Sequence, residues 1–142
     1  MNFRNNSLPI LGQNVMPALI IRLGKLKVES VEIEDGYFRK MSGYSEEMSE
    51  MELYDAGRAW WKISENRVKQ DQIRFFVLSF QRTVLGVYEI EKVLGRNRDN
   101  RKALTGVKVD SGQVVDQYFG TNGKQIVFPK NSANPVYYWP PK

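Results

Sequence analysis

The chain of 142 residues contains no cysteine and no histidine. The absence of cysteine excludes disulfides, thiolate-held zinc, iron–sulfur clusters and thiol nucleophiles. The absence of histidine removes the commonest general base at neutral pH and the commonest metal ligand, so a Ser-His-Asp triad is impossible. We therefore expect a protein that is not an enzyme and holds no cofactor or metal. A bound metal would have to be a hard cation held by carboxylates.

Two patterns of phosphate and nuclease chemistry are also missing. No lysine has an acid two positions before it, as restriction-type nucleases require, and no Gly-x4-Gly-Lys-Ser/Thr loop is present. Glu89 and Glu91 share one face of a predicted strand and could hold a cation. Solvent-facing carboxylates are the simpler interpretation of this pair.

The N-terminal residues lack the pattern of a secretory signal. The apolar run from Val15 to Ile21 contains Pro17 and is too short to span a bilayer. We expect a soluble, cytoplasmic protein. Residues 1–14 predict a flexible leader, and residues 15–142 predict a single globular domain.

Short strands and helices account for the patterns along the chain. Leu26–Ile33 alternates like a half-buried strand and ends at an Asp35-Gly36 turn. Ser49 and Glu52 have capping-box spacing, which predicts a short helix ending near Gly57. We expect this helix to turn Met48, Met51 and Tyr54 inward, and we expect Ser64 to cap one more helical turn through Val68.

The apolar segments of the second half predict more strands. Residues 73–92 form a hairpin whose first strand is covered on both faces, with a bulge at Gly86. Residues 94–112 are basic and predict a loop, in which Val107–Val109 could form a short strand ahead of the Asp110-Ser-Gly112 turn. Strands are predicted at Gln113–Phe119 and Gln125–Phe128, and an extended segment at Asn134–Trp139. The fold class is α+β, as a small barrel or a compact layered fold.

The tandem indoles of Trp60 and Trp61 stand between Arg58 and Lys62. If Trp60–Ile63 is a strand, the two indoles point to opposite faces, one into the core and one outward. An outward indole beside a cation could stack a nucleic-acid base while the cation holds its phosphate. The alternative is that both indoles are core residues and the cations are solvated.

Other aromatic and basic residues extend this hypothesis. Tyr118 and the pair Tyr137-Tyr138 could line the same cavity, or they could be a core strand and an aromatic lid. The segment from Lys92 to Lys102 suits phosphate contact through guanidinium groups, or it is a solvated loop.

The order of these segments resembles a known superfamily. Trp60-Trp-Lys-Ile63, Phe75–Phe80 and Val84–Ile90 are similar to the core of PUA-like domains, which include the EVE, YTH and ASCH domains, over residues 50–139. The resemblance implies a small mixed β-barrel with two or three short helices. It also implies binding of RNA, or of DNA with a modified base flipped into an aromatic pocket. The stacking residue would be Trp60 or Trp61, Tyr88 would be another wall, and Arg96, Arg98 and Arg101 would grip the backbone.

We therefore expect a nucleic-acid-binding module without catalytic activity. The alternative is a protein-interaction or assembly module of a mobile-element or defence system, with the acidic helix and the aromatic tail as contacts. A carboxylate-metal hydrolase is a third possibility, which would need a cluster of acids.

Overall fold

The computed structural model describes residues 16–96, 100–119 and 134–140. The predicted leader 1–14, Arg98 and the predicted strand Gln125–Phe128 lie outside these ranges. The elements in chain order are β1 Ala18–Arg22, β2 Lys27–Glu34, β3 Tyr37–Ser42, α1 Glu50–Gly57, α2 Glu65–Gln70, β4 Phe75–Phe80, β5 Thr83–Arg96, β6 Lys102–Lys108, α3 Gln113–Phe119 and β7 Val136–Trp139.

Five strands form one sheet in the order β6-β5-β4-β1-β7, and β2 and β3 form a separate two-stranded sheet. The β1–β4 pair is parallel, and the other pairs are antiparallel. This content confirms a small α+β fold. The large sheet is open across the described residues, which do not show a closed barrel.

The two central strands β1 and β4 are buried on both faces. Leu19 and Leu78 lie in the core cluster on the side of α1 and α2, while Ile20 and Val77 lie in the cluster on the side of α3. Adjacent strand residues point to opposite faces, so a wholly apolar strand needs cover on both sides. The prediction that the first strand of the hairpin is covered twice is confirmed.

Local sequence signals fix several elements as predicted. Ser49 and Glu52 form the expected capping box of α1, and Ser64 caps α2. The Asp35-Gly36 turn joins β2 to β3, with Gly36 at a φ of 79° that favours glycine. The predicted bulge is present because Leu78 pairs with Gly86 while Ser79 pairs with Val84.

Four expectations about local structure are wrong, and three of them concern residues before position 113. Met51 is 62% exposed, so it does not face inward. Residues 60–63 form no regular strand, because only Trp61 makes a bridge, to Lys102. The segment 94–112 is largely strand rather than loop, since β5 continues to Arg96 and β6 begins at Lys102.

Residues 113–119 form a helix, not the expected strand. Val114 and Tyr118 are one helical turn apart, and both are buried against the sheet. Burial of this apolar stripe therefore outweighs the strand preference of the valines and aromatics. No helix in the described part of the chain is long and apolar enough to cross a membrane.

Candidate functional site

The segment from Arg58 to Ser64 runs along the outer edge of β6. The Leu104 amide donates to the Arg58 carbonyl at 2.7 Å, and Trp61 and Lys102 exchange backbone hydrogen bonds at 2.8 and 2.7 Å. These bonds occupy donors that an edge strand otherwise leaves open. The segment is thereby held in place between two cavities.

The first cavity, here called the indole pocket, has a volume of about 550 Å³. It lies between the β2–β3 sheet, the last turn of α1 and the tryptophan pair. Its lining includes Lys25, Lys27, Glu29, Arg39, Trp60 and Trp61. The pocket thus combines two indoles with cations and one carboxylate.

Both indoles are half-buried, and both line this pocket. The segment is not a strand, so the two indoles are not placed by strand alternation. Trp61 packs against the core cluster that contains Leu78, and Trp60 packs against a separate cluster that contains Ile33. The Trp60 Nε1–H donates to the Glu32 carbonyl at 2.9 Å, and the Trp61 Nε1–H donates to the Gly57 carbonyl at 2.8 Å. Both indole N–H groups are thus bonded within the protein, and both side chains contribute to the lining of the pocket.

Arg39 of β3 is a pocket residue that the sequence analysis did not identify. Its side chain is only 8% exposed. Its Nη1 donates to the carbonyls of Ala56, at 3.1 Å, and of Ala59. Burial lowers the pKa of Arg39, and Glu29 opposes this shift. No sequence signal marks Arg39, because only the folding of β3 against α1 brings it to the indoles.

Arg58, by contrast, is 3% exposed and does not line the indole pocket. It donates to Asp55 at 3.1 Å, to Glu34 at 2.8 Å and to the Leu104 carbonyl at 3.1 Å. Burial opposes its charge, but the hydrogen bonds to the two carboxylates outweigh this effect and raise the pKa of Arg58. All three guanidinium nitrogens are bonded inside the protein, so this side chain joins α1, β2 and β6.

The second cavity, here called the polar groove, has a volume of about 810 Å³ and lies on the other side of the segment. A neighbouring cavity of about 390 Å³ shares Lys62 and Asn134 with it and adds Arg101. The structure therefore brings the predicted residues Lys62 and Arg101 together. The residues lining the polar groove include Lys62, Asn66, Asn100, Lys102, Asn134 and Tyr138.

Tyr138 forms a fixed aromatic wall of the polar groove. The Arg67 guanidinium carbon lies 4.0 Å from the centre of its ring, and its hydroxyl accepts a hydrogen bond from the Ser64 amide at 2.9 Å. Lys102 pairs with Glu65 at 3.5 Å, which partly neutralises the cationic groove.

The tyrosines at 88 and 118 lie away from both cavities. Tyr88 is 3% exposed and stacks on Phe76 at 4.9 Å, and burial raises the pKa of Tyr88 to about 12. Tyr118 donates to the Met16 carbonyl at 2.6 Å, and burial raises its pKa. Tyr118 and Tyr138 lie on opposite sides of the large sheet, so the expectation that they line one cavity is wrong. Arg96 is described only by its pairing with Lys102.

The described ranges contain no group of three or more acidic side chains that could hold a metal ion. Glu89 pairs instead with Arg74 at 2.9 Å. A carboxylate-held cation at Glu89 and Glu91 has no support from this arrangement.

Comparison of the chain with protein-family models, curated proteins and solved structures finds no significant match.

Proposed function

We propose that the protein is a nucleic-acid-binding module that takes a base into the indole pocket and holds neighbouring phosphates with the cations around it. The single observation that carries this proposal is the indole pocket, where two half-buried tryptophans face one open cavity beside basic side chains. It acts by binding, without catalysis.

The pocket suits a flat heterocycle better than an aliphatic ligand. Its volume of about 550 Å³ lies within the usual range of small-molecule sites. Stacking of a base on an aromatic side chain contributes about 1–3 kcal/mol and is tolerant of sequence. Because both indole N–H groups are already bonded, the rings offer stacking surface without an unmet donor.

Cations stand where a nucleic-acid backbone would leave the pocket. Lys25 and Lys27 at its rim are exposed, and exposed Lys62 follows the indoles directly. Lys62 also lines the polar groove, so a backbone crossing the segment would reach Arg101 and Lys102 there. Phosphate contacts of this kind supply affinity and orientation rather than sequence preference.

The resemblance to PUA-like domains remains part of this proposal. It favours RNA, or DNA with a modified base turned out of its stack, as the ligand.

The test is fluorescence anisotropy of labelled single-stranded RNA and DNA, modified bases included, over a series of salt concentrations. We expect the logarithm of the association constant to fall linearly with the logarithm of the salt concentration, with a slope of about −0.7 per contacted phosphate. Lys62→Gln should reduce the slope by about 0.7. The matched control is Lys40→Gln, because exposed Lys40 lines a different cavity with Phe38 and Met51. Absence of binding to every nucleic acid at low salt contradicts the proposal.

A second candidate function is docking of a basic protein segment. Phe38 and Met51 are 53% and 62% exposed and line a cavity of about 290 Å³, whose charged residues are the acids Glu52 and Asp55 and the cations Arg39 and Lys40. Apolar surface beside carboxylates suits a basic amphipathic helix or strand. Binding of a basic amphipathic peptide that Phe38→Ser abolishes, with oligonucleotide binding unchanged, would favour this candidate. No peptide binding by the native protein would remove it.

A further inference from the structure

Arg39 lies in the wall of the indole pocket, and one edge of its buried guanidinium has no close hydrogen-bond partner among the described residues. Nη1 is bonded to the carbonyls of Ala56 and Ala59. Nε has no acceptor among the described residues, and Nη2 lies 3.9 Å from the Glu29 carboxylate, which is too long for a hydrogen bond. The Nε–Nη2 edge therefore carries two parallel donors without close partners.

Such an edge fits a ligand with two adjacent acceptors. On the edge that faces the major groove, guanine alone among the four standard bases presents two acceptors side by side, O6 and N7, and arginine binds them in bidentate fashion. Cytosine also has two adjacent acceptors, N3 and O2, but on its Watson–Crick edge and on a smaller ring that covers less of the two indoles. Adenine has a donor, the N6 amino group, beside N7. That amino group would face the guanidinium donors, which is an unfavourable contact.

We infer that the indole pocket is selective for guanine, with Arg39 reading O6 and N7 while Trp60 and Trp61 stack the ring. This inference rests on the proposed function and names the base. Nε is covered in the free protein, so binding of the base requires the Arg39 side chain to move its Nε–Nη2 edge toward the pocket.

Glu29 lies close to the Nε–Nη2 edge of Arg39 but does not form a hydrogen bond with it. Its Oε1 accepts from the Ser42 hydroxyl at 3.0 Å, which keeps the carboxylate near the guanidinium without a direct bond. A buried guanidinium with only distant charge compensation favours a ligand that brings acceptor atoms.

The test uses nucleosides, which carry no phosphate, and follows tryptophan fluorescence of the native protein. We expect guanosine to bind roughly 5- to 150-fold more tightly than adenosine, as one bidentate pair implies. 7-Deazaguanosine keeps the shape of guanosine but replaces N7 with C–H, and it should lose much of this advantage. This comparison needs no mutation of a buried residue.

The outcomes separate this inference from the proposed function. Equal binding of guanosine, 7-deazaguanosine and adenosine overturns guanine selectivity, while salt-dependent binding of oligonucleotides still supports the proposed function. Displacement of an oligonucleotide by inorganic phosphate as readily as by guanosine also overturns it, because Arg39 would then hold a phosphate. If neither nucleosides nor oligonucleotides bind, both proposals fail.

Discussion

Arg39 and Arg58 are both buried, yet they do different things. Arg58 has a hydrogen bond from each guanidinium nitrogen, two of them to carboxylates. Arg39 has partners for Nη1, but Nε has none within the described part of the chain. A fully bonded guanidinium stabilises the fold, whereas a partly bonded one beside a cavity is available to a ligand.

At the residue scale, Arg58→Ala should lower the free energy of unfolding by about 3–5 kcal/mol, because it leaves the Asp55 carboxylate without its partner at a buried site. The matched control is Arg74→Ala, which removes an exposed pair with Glu89 and should change it by less than about 1 kcal/mol. Urea unfolding measures both. Equal effects of the two substitutions would show that the buried network contributes little.

The raised pKa of Tyr88 predicts that the protein loses stability at high pH. Its pKa is raised from 10.0 to about 12 by burial, so the folded state keeps the proton that the unfolded state loses. This stabilisation is fully present below about pH 10 and is lost as the pH rises through about 12, a change of roughly 2–3 kcal/mol. Urea unfolding at increasing pH should show this loss, and Tyr88→Phe should reduce it. An unchanged pH profile in the variant would contradict the assignment.

At the element scale, α1 meets the large sheet through Gly57, its last residue. A Cβ at position 57 would lie 2.4 Å from Leu78 Cδ1, and Leu78 is fully buried. The helix approaches β4 this closely only because the residue has no side chain.

We therefore expect Gly57→Ala to destabilise the protein by about 1–3 kcal/mol, since Leu78 must leave its position in a packed core. The control is Gly95→Ala in β5, where a Cβ meets nothing within 4 Å. Thermal or urea unfolding compares the two variants. A neutral Gly57→Ala would mean that α1 can move away from the sheet without loss.

The elements that the sequence predicts correctly are determined by residues that lie close to one another in the chain. The capping box of Ser49 and Glu52 and the hairpin with its bulge at Gly86 are of this kind. The α3 helix is different, because its identity depends on what Val114 and Tyr118 pack against. β6 is also difficult to recognise in the sequence. Ala103 and Leu104 are fully buried, but they lie in a segment whose many basic residues predict a loop.

The candidate site was predicted only in part, for the same physical reason. Trp60, Trp61 and Lys62 are consecutive, so their cooperation is visible in the sequence. Arg39 and Glu29 join them only when the β2–β3 sheet packs against α1. Nothing local distinguishes the buried Arg58 from an exposed cation beside the indoles.

At the scale of the whole molecule, the formal charge of +5 is spread unevenly. Basic side chains border the indole pocket and the polar groove, whereas the acids of α1 lie beside exposed Phe38 and Met51. The cavity at Phe38 and Met51 has both cations and acids in its lining, so it differs from the two basic cavities mainly in its exposed apolar side chains.

The most direct test of the base-binding claim follows the indole N–H signals of the protein by NMR. The chain has three tryptophans, and Trp60→Phe and Trp61→Phe would assign two of the signals. Trp139 packs against Tyr137 in β7 and serves as the internal reference. Titration with a single-stranded oligonucleotide should shift the signals of Trp60 and Trp61 and leave that of Trp139 in place. Binding that leaves both of the first two signals unchanged would contradict the account.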